Sequence, residues 1–181
     1  MSRDEHSAVA TMHRSQFCSF RVAELIVGID VQLVQEVIRA QAMRTVPLAP
    51  TEVKGLINLR GQIVTAIDLR EMLGLPPRSE QDGPSMNVVV RYDDEAVSLL
   101  VDEAGDVVEL TDADFEPVPP TVAPRLRRLA SGAFKLDGSL VLVLDVEATV
   151  KNTTSTDTTR SRHEDRAGRG EGTRSRAAHR T

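Results

Sequence analysis

Tryptophan is absent from this chain, tyrosine occurs once, and aromatic residues make up only 3% of its 181 positions. Any core must therefore be aliphatic, and the 40% of residues that are hydrophobic are enough to build one. Many β-branched residues with few aromatics favour strands packed on strands over a cofactor pocket. Cysteine is nearly missing as well. The lone Cys18 excludes an intramolecular disulfide and a cysteine metal cluster, and in its apolar run it acts as a small hydrophobe. The four histidines, His6, His13, His163 and His179, all lie near the ends, so the patterned middle lacks the commonest general base and metal ligand. Long apolar stretches are also wanting. The opening MSRDEHSAVATMHRS carries no signal-peptide run, and nothing approaches the length of a membrane span. The expectation is a cytoplasmic protein with no direct membrane insertion.

Positive charge is scarce in most of the chain. Residues 1–150 hold 14 Lys and Arg against 23 Asp and Glu, whereas residues 151–181 hold 8 against 4. An acidic body speaks against nucleic acid, because neutralising phosphates needs clustered cations on a folded face. From Lys151 onward the only hydrophobic residues are Ala167, Ala177 and Ala178, too few to offset ordering entropy. Residues 1–15 and 151–181 are therefore expected to be disordered, flanking a β domain over 16–150.

Within that domain, short apolar runs alternate with turn signals. Phe17 to Val22 and Leu25 to Ile29 form a predicted hairpin around Ala23-Glu24, and Leu56 to Leu59 and Ile63 to Ile67 another through Arg60-Gly61. After Asp30, the spacing of Val31, Val34, Val37 and Ile38 predicts a short helix carrying Val34 and Glu36. Asp68 precedes a one- or two-turn helix over Leu69, Met72 and Leu73, closed by Gly74, and residues 76–85 form a connector. Met86 to Tyr92 and Ala96 to Val101 make a third hairpin, followed by a proline-rich link over 116–124.

The chain also repeats itself. GLINLRGQIVTAIDLREML from Gly55 aligns without a gap on GAFKLDGSLVLVLDVEATV from Gly132, an offset of 77 residues. A hairpin, an aspartate and a short helix are thus used twice. Each half alone is small for a stable core, so two similar small barrels packed closely together are expected.

Four apolar runs end in aspartate, at Asp30, Asp68, Asp102 and Asp145. Such carboxylates could serve acid–base chemistry or a metal, but Asp68 and Asp145 are repeat partners, which favours caps and strand ends. Arg60 aligns with Asp137 and sits at a hairpin tip beside Gly61, where a cation could meet a partner's carboxylate or merely be solvated; the pattern alone favours solvation. Glu36 likewise looks like a solvated charge and Val34 like core. Arg125, Arg127 and Arg128 form a basic patch in a connector, without the interleaved aromatics of a nucleic-acid site. No phosphate loop, Ser-His-Asp set or Cys-His pair is present, so neither an enzyme nor a cofactor is expected.

The stretches FRVAELIVGIDVQLVQEVI, VPLAPTEVKGLINLRGQIVTAIDLREMLGL, VSLLVDEAGDVVEL and GAFKLDGSLVLVLDVEATV together resemble the CheW domain family over roughly Gln16 to Val150. The NLRG turn, Asn58 to Gly61, followed by IDLR, Ile67 to Arg70, is the most specific part. Thr65-Ala66, Ser98 and Gly105 depart from the usual family pattern. The resemblance implies two intertwined five-stranded SH3-like barrels with short helices. It implies a stand-alone, non-enzymatic adaptor that binds the cytoplasmic tip of methyl-accepting chemotaxis receptors and the regulatory domain of the histidine kinase CheA, recruited to receptor arrays at the membrane. Arg60 and Gly61 match the family's receptor-contacting turn, and Val34 and Glu36 the segment beside its groove; Asn58, Ile57 and Lys54 are weaker matches. The resemblance tips Arg60 toward a partner contact. Other chemosensory outputs (motility, development or second messengers), a general peptide-binding barrel and a carboxylate-dependent enzyme are the competing expectations.

Overall fold

The computed structural model describes residues 14–136 and 138–152. Ten strands form two five-stranded sheets: β1 (Arg14–Val22), β2 (Leu25–Asp30), β3 (Val34–Arg39), β4 (Val53–Leu59), β5 (Gln62–Asp68), β6 (Met86–Tyr92), β7 (Glu95–Val101), β8 (Glu103–Thr111), β9 (Ala130–Leu136) and β10 (Ser139–Leu144). Two short helices, α1 (Leu69–Leu73) and α2 (Pro124–Arg128), interrupt them, and residues 146–152 are helical. The first barrel runs β8-β1-β2-β10-β9 and the second β3-β6-β7-β5-β4. Barrel 2 is one continuous stretch of chain, inserted between the two halves of barrel 1, and that insertion is what intertwines them.

Matching β3–β7 to β8, β9, β10, β1 and β2 in turn superposes one strand order on the other, including the parallel pairs β5–β7 and β2–β10. The 77-residue repeat captures β4–β5–α1 against β9–β10 and residues 146–152. The remaining equivalences are circularly permuted, so no single offset reveals them. Even closure is duplicated. Arg44 pairs with Leu56 on β4, and Glu116 with Ala133 on β9, at repeat-equivalent places.

Gly55 and Gly132, the first residue of each repeat, make that closure possible. A Cβ at Gly55 (φ 153°) would lie 2.5 Å from the Arg44 carbonyl oxygen, and one at Gly132 would lie 2.0 Å from the Phe115 ring. The edge strands β3 and β8 each carry one extra residue against their partners, a bulge at matching places that increases local twist. Gly105 lies in the second of these bulges, and a Cβ there would meet the Ser19 Oγ at 2.4 Å.

The three predicted hairpins and the Asp68–Gly74 helix are present, with Gly74 left-handed at φ 73°. The helix expected after Asp30 is not. Asp30 caps only one 3-10 turn, accepting from the Gln32 N–H at 2.8 Å, and Val34 to Arg39 is strand. Its apolar spacing is helical, with Glu36 where strand alternation would place an apolar residue, and pairing with β6 overrides it. Val37, expected in the core, therefore points out, while Val34, Glu36 and Ile38 are half-buried. The basic connector is helix α2 in part. Strand β1 begins at Arg14 and helix runs to Asn152, two residues beyond the expected domain at each end. The rest of the two flanks expected to be disordered lies outside the described residues.

One aliphatic core joins both barrels: Phe20, Val22, Val27 and Ile29 of barrel 1 pack with Ile67, Leu69, Val88, Val90 and Leu99 of barrel 2. Polar atoms inside are matched. Asn87 donates to the Ser98 hydroxyl at 2.7 Å, both residues fully buried, so the unusual Ser98 satisfies an amide that would otherwise stand unpaired.

The helical segment 146–152, which follows barrel 1, packs on the β6–β7 turn of barrel 2. Tyr92 hydrogen-bonds Glu147, and Lys151 sits 6.0 Å from the centre of its ring. The Glu147 hydrogen bond pushes the Tyr92 phenol up to about 12. A folded pKa above the unfolded one means this contribution is present below roughly pH 10 and is lost as pH rises through the folded value. With one tyrosine and no tryptophan, phenolate absorbance reports this group alone. Titration should give a midpoint near 12 in the folded protein and near 10 in denaturant, about the ordinary tyrosine value. Glu147→Gln should lower the folded midpoint.

Candidate functional site

The β4–β5 hairpin turns on two residues with positive φ, Arg60 at 52° and Gly61 at 91°. Asn58 shapes that turn, its Oδ1 accepting the Gly61 N–H at 2.8 Å. The left-handed conformation is unusual for arginine and lifts its side chain off the sheet. Arg60 is 83% exposed, yet its Nη2 meets Glu36 Oε2 at 3.0 Å, and Glu36 itself is only 16% exposed. Because β3 and β4 are the opposite edges of barrel 2, this ion pair spans the seam where the barrel closes.

Arg60, Gly61, Glu36 and Asn58 thus form one unit, with Val34 half-buried near the start of β3. Ile57 is 1% exposed and packs inward with Val64 and Ala66, so it can support this surface but not touch a partner. Lys54 lies six residues back along β4, about 20 Å at strand rise, and pairs with Asp68 and Glu71 beside α1. The pattern missed two exposed apolar residues here. Ile63, 62% exposed, pairs with Asn58 across the hairpin, and Val37, 37% exposed, adjoins Glu36 in sequence. The repeat counterpart of Ile63, Leu140, is exposed as well.

Equivalent faces of the two barrels differ in charge. Val37 and Val107 occupy matching exposed places on β3 and β8, as Ile63 and Leu140 do on β5 and β10. Barrel 2 carries Arg39, Arg44 and Arg60 where barrel 1 has Glu109, Glu116 and, in sequence, Asp137, and the barrel 1 acids are met by cations, Glu109 by Arg14 at 3.6 Å and Glu116 by Lys135, the residue across from Leu140, at 3.8 Å.

The aspartates divide. Asp68 caps α1, accepting from the Arg70 and Glu71 N–H groups, and Asp145 accepts from the Ala148 N–H at 2.8 Å. Asp102 ends β7 but is no simple terminator. Its side chain is 2% exposed and takes Arg70 Nε at 3.0 Å on each oxygen, Arg78 Nη2 at 2.7 Å and the Ala23 N–H at 2.6 Å. Burial alone would push this carboxyl up, but Arg70 and the Ala23 N–H, with Arg78 close by, hold it below the usual carboxylate range. Arg70 also reaches Asp82 at 3.2 Å, whose carboxyl is brought down to about 2, first by the Ser79 N–H and then by Arg70. This node ties the β1–β2 turn of barrel 1 to α1, β7 and the 76–85 connector of barrel 2. Both carboxylate oxygens of Asp102 are committed to structure. Among the described residues no group of His, Cys, Asp and Glu could hold a metal, and no helix is long and apolar enough to cross a membrane.

The model of the CheW-like domain matches residues 16–153. The chain belongs to this family. It is 30% identical over 136 residues to the chemotaxis protein CheW of Thermotoga maritima, covering 75% of this chain and 87% of that one. It is 29% identical to the Helicobacter pylori CheW over 136 residues, 75% of this chain and 81% of that one. The crystal structure of the scaffolding protein TtCheW from Thermoanaerobacter tengcongensis superposes with a TM-score of 0.65 at 27% identity, covering 74% of this chain and 90% of that chain. CheW-family proteins are non-enzymatic scaffolds or adaptors of chemotaxis, which accords with a fold whose buried carboxylates are all spent on structure.

Proposed function

We propose that this protein couples methyl-accepting chemotaxis receptors to the histidine kinase CheA, acting in the cytoplasm at membrane-associated receptor arrays. The observation that carries this reading is the pair of equivalent barrel faces with unlike charge patterns. An adaptor must hold two unlike partners at once, and duplicated apolar positions flanked by arginines in one barrel and by acid–cation pairs in the other provide two non-interchangeable surfaces. Arg60, Gly61 and Glu36 are the contact for the receptor tip, with Asn58 fixing the turn, Ile57 and Val34 supporting it from beneath, and Lys54 outside the contact. In the free protein Glu36 holds Arg60, so a receptor carboxylate exchanges one ion pair for another. The exchange favours selectivity over raw affinity.

The test is CheA autophosphorylation in mixtures of cognate receptor fragment, kinase and this protein. Wild type should stimulate the kinase, and Arg60→His should abolish most of that stimulation while leaving the thermal melt unchanged. Stimulation untouched by the variant would remove Arg60 from the contact. Absence of both binding and stimulation would overturn the coupling role.

A further inference from the structure

The longest acid-free stretch of the acidic body lies between Glu116 and Asp137. Residues 117–136 hold Arg125, Arg127, Arg128 and Lys135 and no Asp or Glu. Three of those cations fall on α2, where the i, i+3 spacing puts Arg125 and Arg128 on one face and leaves Arg127 off it. Opposite stands the helical segment 146–152, whose Ala148, Lys151 and Asn152 share a face by the same spacing. Between the two faces lies a cavity of about 540 Å³ lined by Arg125, Arg128, Leu129, Ala148, Lys151 and Asn152. Leu129, which lines the cavity, belongs to the common core, as do Leu126, Val146 and Val150 of the same two helical segments.

The donors are pre-set rather than floppy. Arg125 Nε donates to the Met72 carbonyl at 2.6 Å, and its Cδ stands over Gly74, which orients the fork while sparing both terminal nitrogens. The Arg128 side chain makes no hydrogen bond or ion pair with the described residues. Lys151 is shared with Glu147 and with the Tyr92 ring, and Asp93 and Asp145 also act on its charge, so the two arginines carry most of the free positive charge. Two planar guanidinium forks and an ammonium beside a small apolar wall suit the oxygens of a phosphate group better than a single carboxylate. The volume lies in the range of small-molecule sites, roughly 300–1,000 Å³.

We propose that this cavity between α2 and residues 146–152 binds a phosphate-bearing small molecule of nucleotide size. The site is separate from the Arg60 turn and does not depend on the coupling role. Calorimetric titration of the full chain with ADP and with pyrophosphate, at low and physiological salt, tests it. Arg128→Gln should weaken both ligands roughly tenfold or more, as loss of a charged hydrogen-bonding partner does. Arg125→Gln should do the same, and Arg127→Gln, which removes an equal charge from the same helix, should change affinity less than about twofold. The 8 cations of residues 151–181 stay constant across these three variants. Ligand-free melts keep the reading clean, since Arg128 has no structural partner to lose. Equal weakening by all three variants would reduce the effect to diffuse charge and overturn the proposal. Failure of wild type to bind either probe would overturn it too, as would a glutamate-rich peptide binding as tightly as ADP.

Discussion

Asp102→Ala is expected to destabilise the protein by about 3–5 kcal/mol, the usual cost of removing one partner of a buried ion pair. The figure follows from what the substitution strands. Arg70, 7% exposed at its side chain, would keep its charge but lose three of its hydrogen bonds, and the Ala23 N–H would lose its acceptor. Arg78, 22% exposed, can turn toward water and adds little. Removing both charges is a different experiment. Arg70→Met with Asp102→Leu should recover a good part of the loss, because apolar replacements of both partners leave no uncompensated charge. Urea unfolding of the three proteins measures this directly; a double variant no better than Asp102→Ala would mean the hydrogen bond to Ala23 dominates.

The same node gives stability a pH dependence of fixed sign. A carboxyl held below its unfolded pKa stabilises above roughly pH 4, and that contribution fades as pH falls through the folded value. Wild type should therefore weaken on acidification below pH 4, with Asp82, at about 2, contributing in the same direction. Asp102→Ala should show a shallower acid limb. An identical acid limb in the two proteins would assign the dependence to other carboxylates.

Residue types and spacing gave the hairpins, the Asp68 cap and the Gly55–Gly132 repeat, because each rests on contacts near in sequence. What escaped rests on distant partners. Val34 to Ile38 has helical spacing, and only pairing with β6 makes it a strand. Strand β8 was not anticipated, since Glu103, Asp106 and Glu109 on an exposed edge dilute its apolar signal. The circular permutation that relates the barrels cannot appear as a second offset. Asp102 looked like Asp30 because both end equivalent strands at the point where the chain crosses to the other barrel; its burial comes from α1, far away in sequence. Within the candidate site, the turn at Arg60 was legible from Arg-Gly, whereas its pairing with Glu36 required the barrel to close.

That closure yields a contrast between two glycines that share one place in the repeat. Gly55→Ala should cost on the order of 3 kcal/mol, combining overpacking of about 1–3 kcal/mol with a strained positive φ of similar size. Its Cβ would meet the Arg44 carbonyl, and that backbone is held by two hydrogen bonds to Leu56, at 2.9 and 2.8 Å, so it cannot retreat without opening the seam. The seam also carries Arg60 and Glu36, so binding at this face should fall along with stability. Gly132→Ala clashes more closely on paper, at 2.0 Å, but with the far end of a Phe115 ring that is already 42% exposed and free to swing outward. Gly132 has no positive φ to strain. Its cost should stay near 1 kcal/mol, at the low end for overpacking. The obstacle, backbone in one barrel and a movable side chain in the other, decides the order of the two effects, and denaturant midpoints with Gly132→Ala at least as damaging as Gly55→Ala would show that the Phe115 ring is locked in place.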